Sequence, residues 1–293
     1  MTMKTIHEIK AFAESIELPT EAREVVLPVC EDLISAFTED CCKLCEAPSN
    51  TELIYSIADK IGKERDLVML AVCLMLGANA EELYIKRGIS EKIYMDSMRE
   101  LTIWTKVCMK MRGHVGLYEY GWILNFLQAS IVRLHRLEFH IIPFDDDLTW
   151  SRGNVNVCGG APVINIHIPE DGPLDHEDVI ESYRQAYRYF GCTEEQVFVC
   201  HSWLLYPGNY EFLSERSNIR RFMDDFDIIE RQDKKWDGDL WRIFGACLPC
   251  EDTSGFPCET GLQRGMLRYL NEHDYTSGSG YGVFLFDGEK MIK

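Results

Sequence analysis

Hydrophobic and polar positions follow two different spacings along the chain. In the first part, apolar side chains recur every three or four positions, which is the spacing of helices with one buried face. The longest apolar run, Leu67–Ala78, is shorter than the roughly 18–20 residues that a membrane-spanning helix needs, so it predicts a buried helix. Gly113 and Gly116 mark the expected junction between a helical domain, 1–115, and a second domain, 116–293.

Three apolar runs of strand character follow the junction, and each carries a histidine and a proline-marked break. They lie within Ile131–Phe144, Pro162–Leu174 and Gln196–Pro207. An amphipathic helix, Asp175–Phe190, separates the last two runs and is closed by Gly191. Strands joined through a helix in this way predict a mixed-sheet α/β (α+β) domain.

Shorter apolar runs predict the remaining elements of the second domain. Gly159-Gly160 predicts a hairpin turn between strands Val155–Cys158 and Pro162–Ile168. The later segments are expected to be strands at Phe226–Glu230, Leu240–Phe244 and Tyr281–Phe286, and a helix at Thr260–His273.

Charge and composition indicate which partners and which cell compartment to expect. The formal net charge of −18 repels nucleic-acid phosphates and anionic membranes, so neither is an expected partner. The first 18 residues carry no apolar stretch of the kind found in export signals. Together with 12 cysteines, this predicts a soluble cytoplasmic protein with mostly free thiols. Nothing in the sequence predicts an oligomeric state.

Several separated stretches, in order, resemble one known family. The quoted stretches are ISEKIYMDSMRELTIW (89–104), INIHIPEDGPL (164–174), CHSWLLYP (200–207), SNIRRFMDDFDI (217–228), LWRIFG (240–245) and TGLQRGMLRYL (260–270). They are similar to a bacterial acyltransferase-like family that pairs a helical N-acyltransferase N-terminal domain with a GNAT-like C-terminal domain. The resemblance implies a GNAT-type fold and an acyl-CoA co-substrate, acetyl-CoA or a longer one. It does not imply a substrate; our leading prediction is transfer of the acyl group to an amine or a similar small-molecule or peptide acceptor.

One segment departs from the usual GNAT pattern. Those proteins bind the cofactor pyrophosphate with a Gly- and Arg-rich loop before the helix that follows the fourth strand, whereas this chain has Pro169–Asp178 there. Phosphates favour helix N-termini, and the five carboxylates of this segment would repel them. Three alternatives stay open: a differently placed cofactor, a different cofactor, or a catalytically inactive GNAT-like protein that binds a small ligand.

Polar residues of the three histidine-bearing runs alternate with apolar ones, so each run has one polar face. If the three faces coincide in one sheet, they form a polar cleft between apolar walls, where small ligands are most often found. The residues on these faces are Arg136, Glu138 and His140 in the first run, Asn165 and His167 in the second, and His201 and Trp203 in the third.

Acyl transfer to an amine needs a base, donors for the oxyanion and a proton for the leaving thiolate. We expect Glu138 or His167 as the base, with His201 also in the catalytic set, the N–H near Ile168 facing the oxyanion and Tyr206 as the acid. The donor would contact Ile166, Ile168, Trp203, Arg220 and Arg221, the two arginines holding phosphate. The acceptor would contact Arg136, His140, Asn165 and Asn218.

Each of these residues also has a purely structural interpretation. A histidine in an apolar strand is often a hydrogen-bonded core residue, and Trp203 also suits a core position. Ser217-Asn218 is typical of a helix N-cap, and Asp145–Asp147 of a solvated turn.

The cysteines raise the question of a metal. The pairs Cys42-x2-Cys45 and Cys247-x2-Cys250, with Cys258 near the second, have zinc-like spacing. The pairs are far apart in sequence and the first lies in a helical region, so no metal site is predicted. A metal-dependent hydrolase that uses the histidines ranks last among the alternatives, because no compact ligand motif supports it.

Overall fold

The computed structural model describes residues 3–245 and 252–292, which form two compact units. The predicted junction at Gly113 and Gly116 lies inside the first unit, because the helix that follows it packs against two earlier helices. The first unit comprises Met1–Leu134 and Pro169–Asp171, and the second comprises His135–Ile168 and Gly172–Lys293.

The first unit is helical, as the spacing of its apolar residues predicts. Its core is a 22-residue helix, α5, that is apolar on nearly all sides because α1, α2, α4, α6 and α7 pack around it. The elements are α1 (Ile6–Ser15), α2 (Thr20–Ala36), α3 (Thr38–Glu46), α4 (Thr51–Ile61), α5 (Arg65–Lys86), α6 (Glu91–Arg112), α7 (Tyr120–Leu127) and a short strand β1 (Val132–Leu134).

Within the described residues, α5 is the one helix that is long and apolar enough to cross a membrane. However, 78% of its most apolar window is buried inside the protein, so it is the core helix that Leu67–Ala78 predicts. The neighbouring α6 begins where Ser90 accepts a hydrogen bond from the N–H of Ile93 and ends at Gly113, which adopts a φ of 73°.

The second unit contains a mixed sheet, a small hairpin and four α-helices within the part of the chain that the structure describes. Its elements are β2 (Leu137–Pro143), β3 (Thr149–Arg152), β4 (Val155–Cys158), β5 (Pro162–His167), α8 (His176–Tyr189), β6 (Gln196–Ser202), the 3₁₀ segments Trp203–Leu205 and Pro207–Glu211, α9 (Asn218–Met223), β7 (Asp227–Lys235), α10 (Leu240–Phe244), α11 (Gly261–Glu272), β8 (Thr276–Phe286) and β9 (Met291–Ile292).

Strands of the second unit's sheet lie in the order β2-β5-β6-β8-β7. The short strand β9 pairs with the end of β8, on the same side of β8 as β7. Neighbouring strands are antiparallel except β5 and β6, which are parallel. Helix α8 covers one face, where Tyr183 packs on Phe198 and Phe284. On the other face, the β3–β4 hairpin contributes Trp150 and Val157 to an apolar cluster over part of the sheet.

One predicted hairpin and one predicted strand are wrong. Val155–Cys158 is a strand, β4, as predicted, but it does not pair with β5 across Gly159-Gly160. It pairs back with β3, because Trp150 and Val157 then share the face that packs on the sheet. Leu240–Phe244 is a helix, α10, in which the three buried residues, Leu240, Ile243 and Phe244, lie on one helical face.

The first histidine-bearing run also differs from the prediction of one continuous strand. It contains β1 and β2, separated by a turn in which His135 has a φ of 63°. Arg136 therefore lies in the turn and not on the strand face with Glu138. Trp203 likewise starts a 3₁₀ segment and does not continue the strand face of His201.

Candidate active site

The polar residues of three strands lie on one face of the sheet, at the end that the β3–β4 hairpin does not cover. Glu138 is paired with His167, and His140 with Asn165, across β2 and β5. Asn165 is in turn paired with Val199 on β6, and His201 follows two residues later on the same face. The register thus brings together the face predicted from alternation, except for Arg136 and Trp203.

His140, Asn165 and His167 form a close cluster. The two Nε2 atoms of the histidines are 3.1 Å apart, and the Asn165 amide nitrogen is 3.0 Å from each of them. An amide nitrogen has two N–H groups, so Asn165 can donate one to each ring. Both rings then carry their proton on Nδ1, and two Nε2 lone pairs converge on one point.

Burial keeps this pair of imidazoles neutral. Desolvation, and secondarily the neighbouring His140, lowers the pKa of His167 to about 3. Desolvation also lowers the pKa of His140. At neutral pH both rings are therefore able to accept a proton, and either is a candidate base.

Glu138 is the other residue predicted as a base. Its side chain is fully buried, and it lies directly opposite His167 on the neighbouring strand. Opposed side chains of an antiparallel pair have Cβ atoms about 4.5–5.5 Å apart, so Glu138 and His167 leave the sheet as neighbours on the same face.

The parallel strands β5 and β6 separate beside this cluster. Their register contains two pairs, Ile164 with Phe198 and Asn165 with Val199. Beyond Asn165, β5 continues to His167 in register with β2, whereas the register with β6 ends at the pair Asn165 and Val199. The two parallel strands therefore stop pairing beside the histidine cluster. Ile166 is buried on the opposite face of β5, and Ile168 follows the strand.

His201 and Tyr281 extend the polar face across the sheet. His201 is exposed, pairs with Tyr281 in the register, and its Nε2 is 2.8 Å from the Ser279 hydroxyl. Among the described residues, no group lies within hydrogen-bond distance of the buried Tyr281 hydroxyl. Burial, followed by the charge of Asp145, raises the pKa of Tyr281 to about 12.

Tyr281 thus keeps its proton and pairs with His201, while its ring packs on Phe144 within the apolar cluster to which the hairpin contributes; it was missed from the sequence. The sequence signal for Tyr281 was weak, because Tyr281 lies on the same strand face as the apolar residues Val283 and Leu285. Only the pairing of β6 with β8 places Tyr281 beside His201.

Tyr206, the predicted acid, makes different contacts. Its buried hydroxyl donates to Asp233 Oδ1 at 2.7 Å and accepts from Arg231 at 2.8 Å. Its ring belongs to an apolar cluster with residues of α10 and α11, against which Trp203 also packs. Within the described residues, the hydroxyl of Tyr206 makes no hydrogen bond to the histidine cluster.

The acidic segment before α8 is partly neutralised by basic side chains. Within the first unit, Asp171 pairs with Arg133. Within the second, Asp178 pairs with His135 Nε2 at 2.9 Å, and Asp175 caps α8 by accepting from the N–H of Glu177.

Arg136 contacts the backbone of this segment. It donates to the carbonyls of Gly172 at 2.8 Å and Pro173 at 2.9 Å, so it holds the loop in place.

The two arginines predicted to hold phosphate lie on α9 and differ in their surroundings. Arg220 stacks on Tyr210 at 4.0 Å and donates to Asp224. Arg221 is exposed, and its charge acts on His176, the first residue of α8. Arg221 is thus the more accessible cation near that helix N-terminus. Asn218 begins α9, and Ser217 occupies the N-cap position without a side-chain capping bond.

Of the two cysteine pairs with zinc-like spacing, one lies among the described residues. Cys42 and Cys45 lie on α3, whereas Cys247 and Cys250 are outside the described residues.

Comparison with known proteins identifies the class. The model of the GNAT-like C-terminal domain matches residues 131–284, and that of the N-acyltransferase N-terminal domain matches residues 7–129. The chain belongs to this family, in which a GNAT-like C-terminal domain follows an N-acyltransferase N-terminal domain. The resemblance and the fold class predicted from the sequence are confirmed. No curated protein sequence matches the chain.

Solved structures share the fold over nearly the whole chain. An acyltransferase in complex with decanoyl-CoA and teicoplanin is 19% identical, with a TM-score of 0.73 over 96% of this chain and 88% of that one. A mutant acyltransferase in complex with octanoyl-CoA is 19% identical, with a TM-score of 0.74 over 99% and 90%. A complex with CoA and 10C-teicoplanin is 18% identical, with a TM-score of 0.70 over 94% and 86%.

Proposed function

We propose that this protein transfers an acyl group from an acyl-CoA thioester to an amine of a small-molecule or peptide acceptor. The observation that carries the proposal is the neutral His140–Asn165–His167 cluster beside the point where the pairing of β5 and β6 ends. Family membership and the acyl-CoA complexes of the similar structures support the donor. Two of those structures hold teicoplanin or 10C-teicoplanin, which supports a bulky acceptor.

The geometry supports direct transfer without an acyl-enzyme. The amine nitrogen attacks the thioester carbonyl, and its proton passes to Nε2 of His167 or His140 as the carbon–nitrogen bond forms. The pantetheine arm enters where the pairing of β5 and β6 ends at Asn165 and Val199, which brings the thioester next to the histidines. The carbon–sulfur bond then breaks, and the departing thiolate takes the proton of the Tyr281 hydroxyl. Tyr281 regains a proton from the imidazolium through solvent.

His140 and Glu138 have supporting roles in this scheme. A ring with a pKa of about 3 is available at neutral pH but is a weak base. Sharing the proton with His140, and placing Glu138 opposite, lowers the cost of the transient positive charge.

The test is acyl transfer by the purified protein, followed as release of free CoA thiol from octanoyl- and decanoyl-CoA with teicoplanin and simple amines as acceptors. His167→Asn should lower kcat by roughly 10²–10⁴, the usual contribution of a general base. Tyr281→Phe should lower kcat while the KM for the donor changes little. Tyr187→Phe is the matched control, because that hydroxyl donates to the Glu194 carbonyl at the surface. Full turnover by His167→Asn would remove the histidine cluster from the mechanism.

A non-catalytic protein that binds a small ligand is the second candidate, and the acidic segment Glu170–Asp178 favours it. Thermal stabilisation by acyl-CoA distinguishes the two. Stabilisation without turnover on any acceptor supports the binding protein. Turnover that His167→Asn abolishes supports the transferase.

A further inference from the structure

A second cluster of reactive side chains lies in the first unit, where α5 begins and α6 ends. Asp66 is the second residue of α5, Cys108 is in the last turns of α6, and His114 follows that helix. One ligand atom from each residue lies within 4.8 Å of the other two. His114 Nε2 is 3.1 Å from Asp66 Oδ2, and Cys108 Sγ is 3.9 Å from the same oxygen.

The backbone holds these three residues together. The N–H of Leu117 donates to the Asp66 carbonyl at 2.9 Å. Gly116 packs so closely that a Cβ there would be 2.5 Å from the Asp66 Cβ, so the loop after α6 is pressed against the start of α5. The cluster is therefore preorganised by contacts that do not involve its side chains.

The orientation of His114 points to a cation. Its Nδ1 is 3.2 Å from the Arg112 carbonyl, so that nitrogen carries a proton and donates. Its Nε2, the nitrogen left to bind a metal ion, faces the Asp66 carboxylate oxygen at 3.1 Å, so the imidazole and carboxylate donors converge on one point. A ring N–H donated to a carbonyl is also the usual outer contact of a metal-binding histidine.

We propose that Asp66, Cys108 and His114 bind a divalent transition metal ion, Zn²⁺ in particular. Sulfur, imidazole and carboxylate together are donors that zinc prefers, with bonds of roughly 2.3 Å to sulfur and 2.0–2.1 Å to nitrogen and oxygen. Tetrahedral bonds of these lengths place the ligand atoms roughly 3.3–3.6 Å apart, close to the 3.1 Å and 3.9 Å separations of the cluster. Cys108 loses its thiol proton to solvent when its sulfur–zinc bond forms, and water takes the fourth position.

Arg112 is the competing cation in this cluster. Its guanidinium donates to Asp66 Oδ2 at 2.6 Å and stacks on Tyr118 at 3.9 Å. A carboxylate has two oxygens, so Arg112 can move to one of them while the ion takes the other. The bound ion would tie the start of α5 to the end of α6, which is a structural role separate from acyl transfer.

The test uses the full chain, freed of metal with a chelator and titrated with Co²⁺, whose bonds to thiolate give a charge-transfer absorption. The natural protein should show this absorption with one ion per chain. Cys108→Ser should abolish it, and His114→Ala, at an exposed site, should weaken binding at least tenfold. The matched controls are the double variants Cys42→Ser/Cys45→Ser and Cys247→Ser/Cys250→Ser, which should keep the absorption.

Zn²⁺ provides the second readout. It should raise the Tm of the natural protein and not that of His114→Ala, whose fold is checked by circular dichroism. No thiolate absorption in the natural protein, its survival in Cys108→Ser, or its loss in either double variant would overturn the proposal.

Discussion

Stability at low pH depends on His167 in a way that a single substitution can test. Its pKa is lowered to about 3 by burial, from an ordinary value of 6.5. Between these two pH values the unfolded chain binds a proton that the folded chain does not bind. The stabilisation from a neutral His167 is therefore fully present above about pH 6.5 and is lost as the pH falls toward 3. We predict that His167→Asn removes this part of the pH dependence.

The size of the effect follows from the width of that window. Each pH unit inside it changes the free energy of unfolding by about 1.4 kcal/mol. Going from pH 7 to pH 5 therefore costs the natural protein about 2 kcal/mol through His167 alone. His140 changes stability in the same direction, since its pKa is also lowered, and this contribution remains in the variant.

Hydrogen exchange followed by mass spectrometry is the suitable assay, because the chain has two units that need not unfold together. The opening free energy of peptides from β5 is measured at pH 7 and pH 5 for the natural protein and for His167→Asn. The natural protein should lose about 2 kcal/mol more than the variant. Equal losses would show that His167 is protonated in the folded state at pH 5, which would refute its assignment as a buried neutral ring.

His176→Asn provides a control of opposite sign. The hydrogen bond to Asp225 raises the pKa of His176, so its stabilisation is present below pH 6.5 and is lost as the pH rises through the folded pKa. The cost of His176→Asn should therefore be larger at pH 5 than at pH 8.

Two further predictions test the sheet and the donor site. Gly280→Ala should destabilise the second unit by about 1–3 kcal/mol, because the new Cβ would approach the Leu205 carbonyl oxygen. Thermal unfolding measures this loss of stability. Gly261→Ala is the control, because its new Cβ meets open space. An acyl-pantetheine should be used with a kcat/KM within about tenfold of that of the matching acyl-CoA, a difference of about 1.4 kcal/mol. A loss of several hundredfold would show instead that the nucleotide phosphates are held tightly.

Periodicity predicted those elements whose burial decides their structure. Leu67–Ala78 is a core helix and Asp175–Phe190 is an amphipathic helix because a single apolar run or stripe had only one way to be buried. Leu240–Phe244 was misjudged because five apolar-rich residues fit both spacings, and only the packing of α10 against α11 selects the helix. The hairpin at Gly159-Gly160 failed for a similar reason, since a turn signal does not say which strand is the partner.

The site was predictable as far as alternation along each strand, and no further. His140, Asn165 and His167 were singled out because they share parity on their strands. The 3.1 Å approach of the two rings depends on the β2–β5 register, which a one-residue slip would undo. Tyr281 needed the pairing of β6 with β8, and Arg136 was misplaced because the turn at His135 is not visible in the apolar pattern.

The same structural details explain how an acidic protein can use an anionic donor. Near α8, two basic side chains that could face a phosphate already contact carboxylates, His135 with Asp178 and His176 with Asp225, so the exposed Arg221 is the accessible cation there. These pairs reduce the local repulsion that the sequence alone implies, but they leave little positive charge to attract phosphates. Charges separated by more than about 8 Å are largely screened at physiological ionic strength, so the net charge of −18 matters less at the cleft than these local pairs do.

Donor affinity must then come from contacts that carry no charge. In the proposed mechanism the pantetheine arm lies where the pairing of β5 and β6 ends, and each buried methylene of an acyl chain adds about 0.8 kcal/mol. A donor with a long acyl chain is therefore expected to bind better than acetyl-CoA.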